Sequence, residues 1–285
     1  MTEAPHHILA IDGGGTSCRG ALVELASGAR VDAVEGSANI SDFEGATGRI
    51  SALVAQLCDR VEPDGIAAHI SLAGVIDEAG AKAVAACFGF QRLRVTSDQP
   101  TMIVGALGGR DGAVAALGTG SFVGVQAEGA VRVIGGGGLA IGDQASGAWL
   151  GRELLSHALL VGDGIEAPSP IAERMLERYG GVAGVTRFSL TARPADYGRL
   201  APEIVEAAKG DAIAAGLMGE GAAYIITALR ALDWQPGQRL CLTGGLGPAY
   251  ARWLPGDVTA GLTQPDGTAL DGALILARRL AEEGA

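Results

Sequence analysis

The chain contains three glycine-rich turns, each of which follows an apolar run of residues. The first is Gly13-Gly14-Gly15-Thr16, which comes directly after Asp12. Glycines leave backbone N–H groups open to a ligand, and a nest of such groups binds anions such as phosphate. An aspartate at a strand end can hold Mg²⁺ through water, and the Thr16 hydroxyl can donate to a phosphate oxygen. A plain glycine turn in a hairpin is the alternative explanation for this segment taken alone.

Two further turns repeat this arrangement of an apolar strand followed by glycines. They are Gly118-Thr119-Gly120-Ser121 after residues 113–117, and Gly244-Gly245-Leu246-Gly247 after residues 239–243. The P-loop does not describe them because it needs Gly-Lys-Ser/Thr. The dinucleotide-binding fingerprint does not describe the first turn, since its glycines lead into a helix and these lead into a strand. Three such turns with one aspartate therefore predict a nucleotide held between two domains.

Apolar periodicity predicts the elements that hold these turns. In the first half it predicts strands at residues 8–12, 19–25, 67–73 and 93–97, and helices at residues 46–61, 79–87 and 100–107. In the second half it predicts strands at residues 113–117, 122–126 and 239–243, and helices at residues 145–161, 203–232 (one or two) and 268–282. Both halves begin as strand, glycine turn and strand, which indicates an α/β protein of two similar domains. The glycine-rich break at residues 108–112 places the predicted boundary between residues 1–110 and residues 111–285.

The amino-acid composition argues against nucleic acid, a membrane and a metal cluster as partners. The 285 residues include 21 Lys and Arg against 32 Asp and Glu, and the net charge of -11 would repel a nucleic-acid backbone. No stretch of about 20 uninterrupted apolar residues predicts a membrane span, and residues 1–7 lack the features of a signal peptide. We therefore expect a cytoplasmic protein. Its cysteines are too widely spaced for a metal site, so we expect reduced thiols at Cys18, Cys58, Cys87 and Cys241.

The three turns resemble the two phosphate motifs and the adenosine motif of the actin-like ATPase and sugar kinase superfamily. Within it, nearly the whole chain resembles the N-acetylglucosamine and glucosamine kinase branch of the BadF/BadG-type ATPase family. The most specific segments are Gly36-Ser37-Ala38-Asn39-Ile40, Ser97-Asp98 and residues 142–151. The resemblance implies two ribonuclease-H-like α/β domains around a central cleft that binds ATP. It also implies that the last helix packs on the N-terminal domain.

The resemblance gives particular side chains a role. Asp98 ends an apolar strand, at the edge where ligands collect in α/β folds, and is the expected catalytic base. The first two glycine turns are expected to bind the phosphates of ATP, the third to bind adenosine, and Asp12 to hold Mg²⁺. The residues expected to bind the sugar are Ser37, Asn39, Asp98, Asp143 and Gln144.

Each of these positions also has a purely structural explanation. Asp98 and Asp143 can cap the helices predicted to follow them. Asn39 suits a turn. Trp149 can stack on a sugar face, but its helical spacing is more typical of a core residue. The family usually has Glu where this chain has Gln144, which keeps the hydrogen-bonding reach but loses the charge that would bind an ammonium group.

The expected activity is transfer of the γ-phosphoryl group of ATP to the 6-hydroxyl of glucosamine or N-acetylglucosamine. Both sugars stay open because of Gln144. One alternative is an ATP-driven activator of a dehydratase, but such activators share an iron–sulfur cluster and need closely placed cysteines. Another is a sugar sensor with the same fold and no catalysis. The family also makes a homodimer an expected assembly, with a small sugar and a nucleotide as ligands.

Overall fold

The computed structural model describes residues 4–59 and 61–283. The strands are β1 (His7–Gly13), β2 (Cys18–Glu24), β3 (Arg30–Glu35), β4 (Ile66–Leu72), β5 (Arg92–Ser97), β6 (Gly112–Leu117), β7 (Ser121–Ala127), β8 (Ala130–Gly135) and β9 (Leu240–Thr243). The first helices are α1 (Phe43–Leu57), α2 (Glu78–Ala85), α3 (Asp98–Leu107), α4 (Gly147–Gly162), α5 (Pro170–Tyr179) and α6 (Gly181–Ser189). The others are α7 (Pro194–Gly198), α8 (Ala201–Ala207), α9 (Ala212–Ala231), α10 (Gly247–Tyr250), α11 (Gly256–Thr259) and α12 (Ala269–Glu282).

A few sequence predictions touch residues outside the described ranges. Residues 1–3 belong to the segment searched for a signal peptide, and residue 60 belongs to the helix predicted over residues 46–61. Residues 284–285 end the predicted second domain.

The first compact unit comprises Met1–Asp111, Gln126–Val131 and Pro265–Ala285. Its sheet has the strand order β3-β2-β1-β4-β5. β1 is antiparallel to β2 and parallel to β4, which is parallel to β5. Because β1, β4 and β5 all run in one direction, their carboxyl ends meet at one edge of the sheet, where α/β proteins bind ligands.

Helices cover both faces of this sheet. α1 buries Ile50 and Leu53 on one face, in a cluster with Ile70 of β4. α12 buries Ala277 on the other face, in a cluster with Ile8 of β1. α12 also packs against α3. The sheet is therefore fixed from both sides, which holds its carboxyl edge in place.

The second compact unit comprises Gly112–Val125 and Arg132–Gln264. Its sheet has the order β8-β7-β6-β9, with β6 parallel to β9. α9 is long and apolar enough to cross a membrane by length and composition alone. It buries Leu217, Met218 and Ile225 in the core of this unit, which also contains Trp149. The core explanation for Trp149 is therefore confirmed.

The strands and helices confirm the predicted α/β class, but several elements were missed. Strand β3 was missed because Ala33 is the one buried residue among its six, so no apolar periodicity marks it. Strand β8 and helices α5, α6 and α7 were also not predicted. Helix α5 did carry a signal, since its buried residues Ile171, Ala172 and Met175 have helical spacing.

Two helix starts correct the capping explanations. α3 begins at Asp98 rather than near Pro100, so Asp98 is the first helical residue and Ser97 is the N-cap. α4 is capped by Ser146, whose Oγ accepts a hydrogen bond from the backbone N–H of Trp149 over 3.0 Å. Asp143 is therefore not the cap of α4, and the capping explanation for it is wrong.

Candidate active site

Two aspartates lie at the carboxyl edge of the parallel strands in the first unit. Asp12 is in the last part of β1, opposite Ser71 of β4, and Asp98 directly follows β5. The Ser71 hydroxyl donates to Asp12 Oδ1 over 3.2 Å and is also 3.3 Å from the carbonyl oxygen of Ile11. Sequence reasoning missed Ser71, although a polar residue inside the apolar strand at residues 67–73 was an available signal.

Burial controls the proton affinity of both carboxyls. It raises the pKa of Asp12, and the charge of Asp98 adds to this rise, while the Ser71 hydrogen bond and Arg19 oppose it. Burial also raises the pKa of Asp98, against the opposing effect of the backbone N–H groups of Asp98 and Gln99. A carboxylate with a raised pKa is a stronger base, so Asp98 is suited to accept a proton.

The first glycine turn connects β1 to β2. Gly14 donates its N–H to the carbonyl oxygen of Ser17 over 3.0 Å, and Thr16 is exposed. The Gly14 carbonyl accepts from the backbone N–H of Ala38 over 3.0 Å and from the Ser37 hydroxyl over 3.3 Å. Ser37, which was expected to bind the sugar, therefore also fixes the turn expected to bind phosphate.

Asn39 lies beside the end of β4. Its backbone forms a bridge with Ala73, and its Oδ1 accepts from the backbone N–H of Ser41 over 2.9 Å. Gly74 has φ 89°, and a Cβ there would lie 2.8 Å from Asn39 Oδ1. The side chain of Asn39 is therefore held by an Asx-type turn, which leaves its amide –NH₂ as the group to donate to a ligand.

The second glycine turn is attached to the start of α4. The Gly118 carbonyl accepts from the N–H of Gly147 over 2.8 Å, and the Thr119 carbonyl accepts from the N–H of Ala148 over 3.2 Å. Thr119 and Gly120 are exposed. The turn is thereby fixed by its carbonyls, and its exposed side can receive an anion.

Asp143 and Gln144 lie next to this second turn. Asp143 is buried, and a Cβ at Gly120 would lie 3.0 Å from its Oδ2. The Ser121 hydroxyl donates to the carbonyl oxygen of Gln144 over 2.6 Å. Asp143 has φ 59°, a left-handed backbone conformation that aspartate adopts more readily than most residues with a side chain. The second unit thus brings together the predicted residues Gly118 to Ser121, Asp143 and Gln144.

The third glycine turn also lies against the second. Gly244 has φ 79°, and a Cβ there would collide with the carbonyl oxygen of Leu117, so only glycine fits. A Cβ at Gly247 would lie 2.7 Å from the carbonyl oxygen of Leu242. Both glycines are therefore needed for the turn itself, whatever ligand it binds.

Gly245 instead lines a cavity of about 530 Å³ in the second unit. Its other lining residues include Lys209, Pro248, Arg252 and Trp253, none of which sequence reasoning singled out. The indole ring of Trp253, with the cations of Lys209 and Arg252 in the same lining, suits a nucleobase attached to an anion. Lys209 is also paired with Glu206 over 2.6 Å, so the cavity contains both a donor and an acceptor of hydrogen bonds.

Cys18, Cys58 and Cys87 are free cysteines, and the Cys241 thiol contacts the hydroxyl of Thr263 over 3.3 Å. Burial raises the pKa of Cys18 to about 12 and that of Cys58 to about 11, so both remain protonated thiols at neutral pH. A protonated thiol is a poor nucleophile and a poor metal ligand.

The two sheets and their glycine turns define an α/β protein of the actin-like ATPase and sugar kinase class. A Chromobacterium violaceum protein proposed to be an N-acetylglucosamine kinase has a similar structure, with a TM-score of 0.78 and 30% identity over 96% of this chain and 100% of that one. A ROK family glucokinase from Streptomyces griseus, solved with glucose and AMPPNP, shares the fold at a TM-score of 0.51 and 20% identity, over 96% and 99% of the two chains.

Sequence comparison leads to the same class. The model of the BadF/BadG/BcrA/BcrD ATPase family matches residues 9–252. Glucosamine kinase GspK of Vibrio cholerae is 32% identical over 286 residues, which cover 95% of this chain and 96% of that protein. The chain belongs to the BadF/BadG/BcrA/BcrD ATPase family, and the resemblance stated from its motifs is confirmed.

Proposed function

We propose that the protein is an ATP-dependent kinase that transfers the γ-phosphoryl group to the 6-hydroxyl of glucosamine or N-acetylglucosamine. The observation that carries this proposal is Asp98, a carboxyl at a strand edge whose pKa burial raises and whose charge acts on Asp12. The two relatives named above for these amino sugars support the substrate class.

Asp98 acts as the base in this proposal. Its carboxylate accepts the proton of the sugar hydroxyl while that oxygen forms a bond to the γ-phosphorus. The bond between the γ-phosphorus and the bridging oxygen of the β-phosphate breaks, and ADP leaves with the electron pair. Burial raises the pKa of Asp98, and a carboxylate with a raised pKa is a stronger base.

The nucleotide uses the three glycine turns. The exposed residues Gly15 and Gly120 offer their backbone N–H groups to phosphate, together with the hydroxyls of Thr16 and Thr119. The N–H groups of Gly14 and Gly118 and the hydroxyl of Ser121 already donate within the protein and shape the turns. The third turn, through Gly245, places the adenine in the cavity beside Trp253.

Asp12 fits a role in binding Mg²⁺. Within residues 4–59 and 61–283 no group of three or more His, Cys, Asp or Glu forms a metal site. Mg²⁺ at kinase sites needs one or two carboxylates, since phosphates and waters supply its other ligands. When bound, it would neutralise charge on the phosphates. The Ser71 hydrogen bond orients the Asp12 carboxylate for this role.

The residues proposed to bind the sugar are Ser37, Asn39, Asp98, Asp143 and Gln144. Hydroxyls of the sugar match this set because an amide both donates and accepts, while a carboxylate accepts. Gln144 is neutral, so it hydrogen-bonds an N-acetyl group and a free amine without preferring the ammonium charge.

The test is release of ADP from MgATP with glucosamine, N-acetylglucosamine, N-acetylmannosamine, N-acetylmuramic acid, glucose or buffer alone. We expect turnover with glucosamine or N-acetylglucosamine and a product phosphorylated at the 6-hydroxyl, identified by NMR. Hydrolysis of ATP at one rate with every sugar and with buffer would contradict the proposal and favour an ATPase that acts on a protein partner. If neither sugar is phosphorylated and ATP is not hydrolysed, the result would favour the non-catalytic sugar sensor.

A further inference from the structure

Tyr224 of α9 has a hydroxyl that the protein does not use internally. The side chain is half-buried beside the core of the second unit. Its hydroxyl has no hydrogen-bond partner among the residues that the structure describes. A hydroxyl that is partly withdrawn from water without a partner gains from a ligand that supplies one.

The Tyr224 hydroxyl contacts the segment that leads to Asp143. Gly135 has φ 91°, and a Cβ there would lie 2.9 Å from Tyr224 Oη. The next residue, Gly136, donates its N–H to the carbonyl oxygen of Ser121 over 2.9 Å. The phenol is therefore located where the glycine-rich segment meets the second glycine turn.

Tyr224 and Asp143 both border the second glycine turn: the Gly135 that contacts Tyr224 lies against Ser121, and Asp143 lies against Gly120. Burial raises the pKa of Tyr224, and the charge of Asp143 raises it further, so the phenol stays protonated at neutral pH. A neutral phenol can donate one hydrogen bond and accept others, whereas the carboxylate of Asp143 only accepts. Together the two side chains offer both kinds of partner that a sugar hydroxyl needs.

We propose that the hydroxyl of Tyr224 is a further sugar-binding group, which forms a hydrogen bond to a hydroxyl of the sugar that Asp143 binds. This inference rests on the proposed function. A phosphate group is the other ligand with suitable oxygens. The negative charge of Asp143 disfavours an anion at this position, whereas it favours a sugar hydroxyl, which can donate to it.

The first experiment compares kcat, KM for the sugar and KM for ATP in the wild type, Tyr224→Phe and Tyr179→Phe. Tyr179 is a matched control because it lies in the same unit and packs against Phe188 with ring centroids 4.7 Å apart. We expect Tyr224→Phe to raise KM for the sugar about fivefold, the usual cost of one neutral hydrogen bond, and to leave KM for ATP and the melting temperature unchanged. Tyr179→Phe should match the wild type in all four quantities.

The second experiment identifies the sugar hydroxyl with 3-deoxy and 4-deoxy analogues of the sugar that the wild type phosphorylates best. For the analogue that lacks the bonded hydroxyl, wild type and Tyr224→Phe should have equal KM values, because neither can form the bond. The proposal is overturned if Tyr224→Phe matches the wild type on the intact sugar, or if it raises KM for ATP instead.

These outcomes are separable from a failure of the proposed function. If the wild type phosphorylates the sugar and Tyr224→Phe does so equally well, the assignment of Tyr224 is wrong while the kinase stands. If the wild type phosphorylates no sugar, the kinase proposal fails and the sugar-binding role of Tyr224 is withdrawn with it.

Discussion

Two aspartates stand at the starts of helices, Asp98 at α3 and Asp211 at α9, and their surroundings are opposite. Asp211 is 6% exposed and is the N-cap of α9. Its carboxylate accepts hydrogen bonds from Ser169 Oγ at 2.6 Å and from the backbone N–H groups of Ile171, Ile213 and Ala214 at 3.0, 3.0 and 3.2 Å. No side-chain donor reaches the Asp98 carboxylate within the described part of the chain.

The pKa values of these two carboxyls follow from this difference. Burial alone would raise the pKa of Asp211, but the hydrogen bonds from Ser169 and three backbone N–H groups outweigh it and lower the pKa. Burial raises the pKa of Asp98, and the rise persists because fewer hydrogen bonds stabilise its charged form. A carboxylate with all its lone pairs occupied joins two helices, whereas one that keeps free lone pairs can accept a proton from a ligand.

The largest effect expected is that of Asp98→Asn on turnover. The amide cannot accept the proton of the sugar hydroxyl, so kcat should fall by about 10³-fold, within the range for loss of a general base. Affinity for ATP, measured by calorimetry, should change little. A variant that keeps more than a tenth of wild-type kcat would contradict the role of Asp98 as the base.

The same variant should not lose stability. The folded-state pKa of Asp98 is raised, so ionisation of this group lowers the free energy of unfolding as the pH rises through the unfolded and then the folded pKa. Removing the charge at neutral pH should therefore leave the midpoint of urea unfolding unchanged or slightly higher.

The second largest effect is expected for Asp211→Ala, which should lower stability and leave turnover nearly unchanged. This change removes the cap of α9 and leaves the hydroxyl of Ser169 and the N–H of Ile171 without their acceptor. The free energy of unfolding should fall by about 3 kcal/mol, from one lost cap and the buried donors left unpaired. Urea unfolding measures the loss, and kcat measured well below the unfolding midpoint should stay within twofold of the wild type. A tenfold fall in kcat with unchanged stability would reverse the comparison.

The third prediction separates the two carboxyls by pH. Asp98 must be ionised to act as a base, so kcat/KM should fall on the acid side with an apparent pKa above that of an ordinary aspartate. The folded pKa of Asp211 is lowered, so its contribution to stability is complete above the unfolded pKa of about 4 and is lost as the pH falls through the folded pKa. As the pH is lowered, kcat/KM should therefore begin to fall while the difference in unfolding free energy between wild type and Asp211→Ala is still constant. If that difference declines at a higher pH than kcat/KM does, the Asp211 carboxylate is not the one stabilised by its hydrogen bonds.

The sequence alone was informative where local pattern determines structure. Apolar periodicity located β1, β4 and β5, and the glycine turns marked the strand ends. The sequence could not show whether Asp98 is a catalytic base or a helix cap. The answer depends on which hydrogen-bond donors distant segments of the chain bring to its carboxylate. Asp211 shows the same limit, since its bond to Ser169 spans 42 residues. Ser71 was missed for the same reason, because its role depends on its register with Asp12 across two parallel strands.

The smallest effect is expected for Ser71→Ala, which changes the environment of Asp12. Asp12 is intermediate between the two carboxyls compared above, because it has one side-chain hydrogen bond and a raised pKa. Removing that bond should raise its pKa further, since the bond favours the ionised form. The Mg²⁺ concentration for half-maximal activity should rise about threefold at neutral pH, a typical effect of one hydrogen bond.

This effect of Ser71→Ala should grow as the pH is lowered, because a larger fraction of Asp12 is then protonated and unable to hold a cation. The measurement is a Mg²⁺ titration of activity at several pH values. Ser156→Ala is the matched control, since the Ser156 hydroxyl donates to a backbone carbonyl on the exposed side of α4 and should give wild-type titrations. A shift of the same size at every pH would mean that Ser71 supports the strand edge without tuning Asp12. The number of donors would then explain the difference between Asp98 and Asp211 but not the behaviour of Asp12.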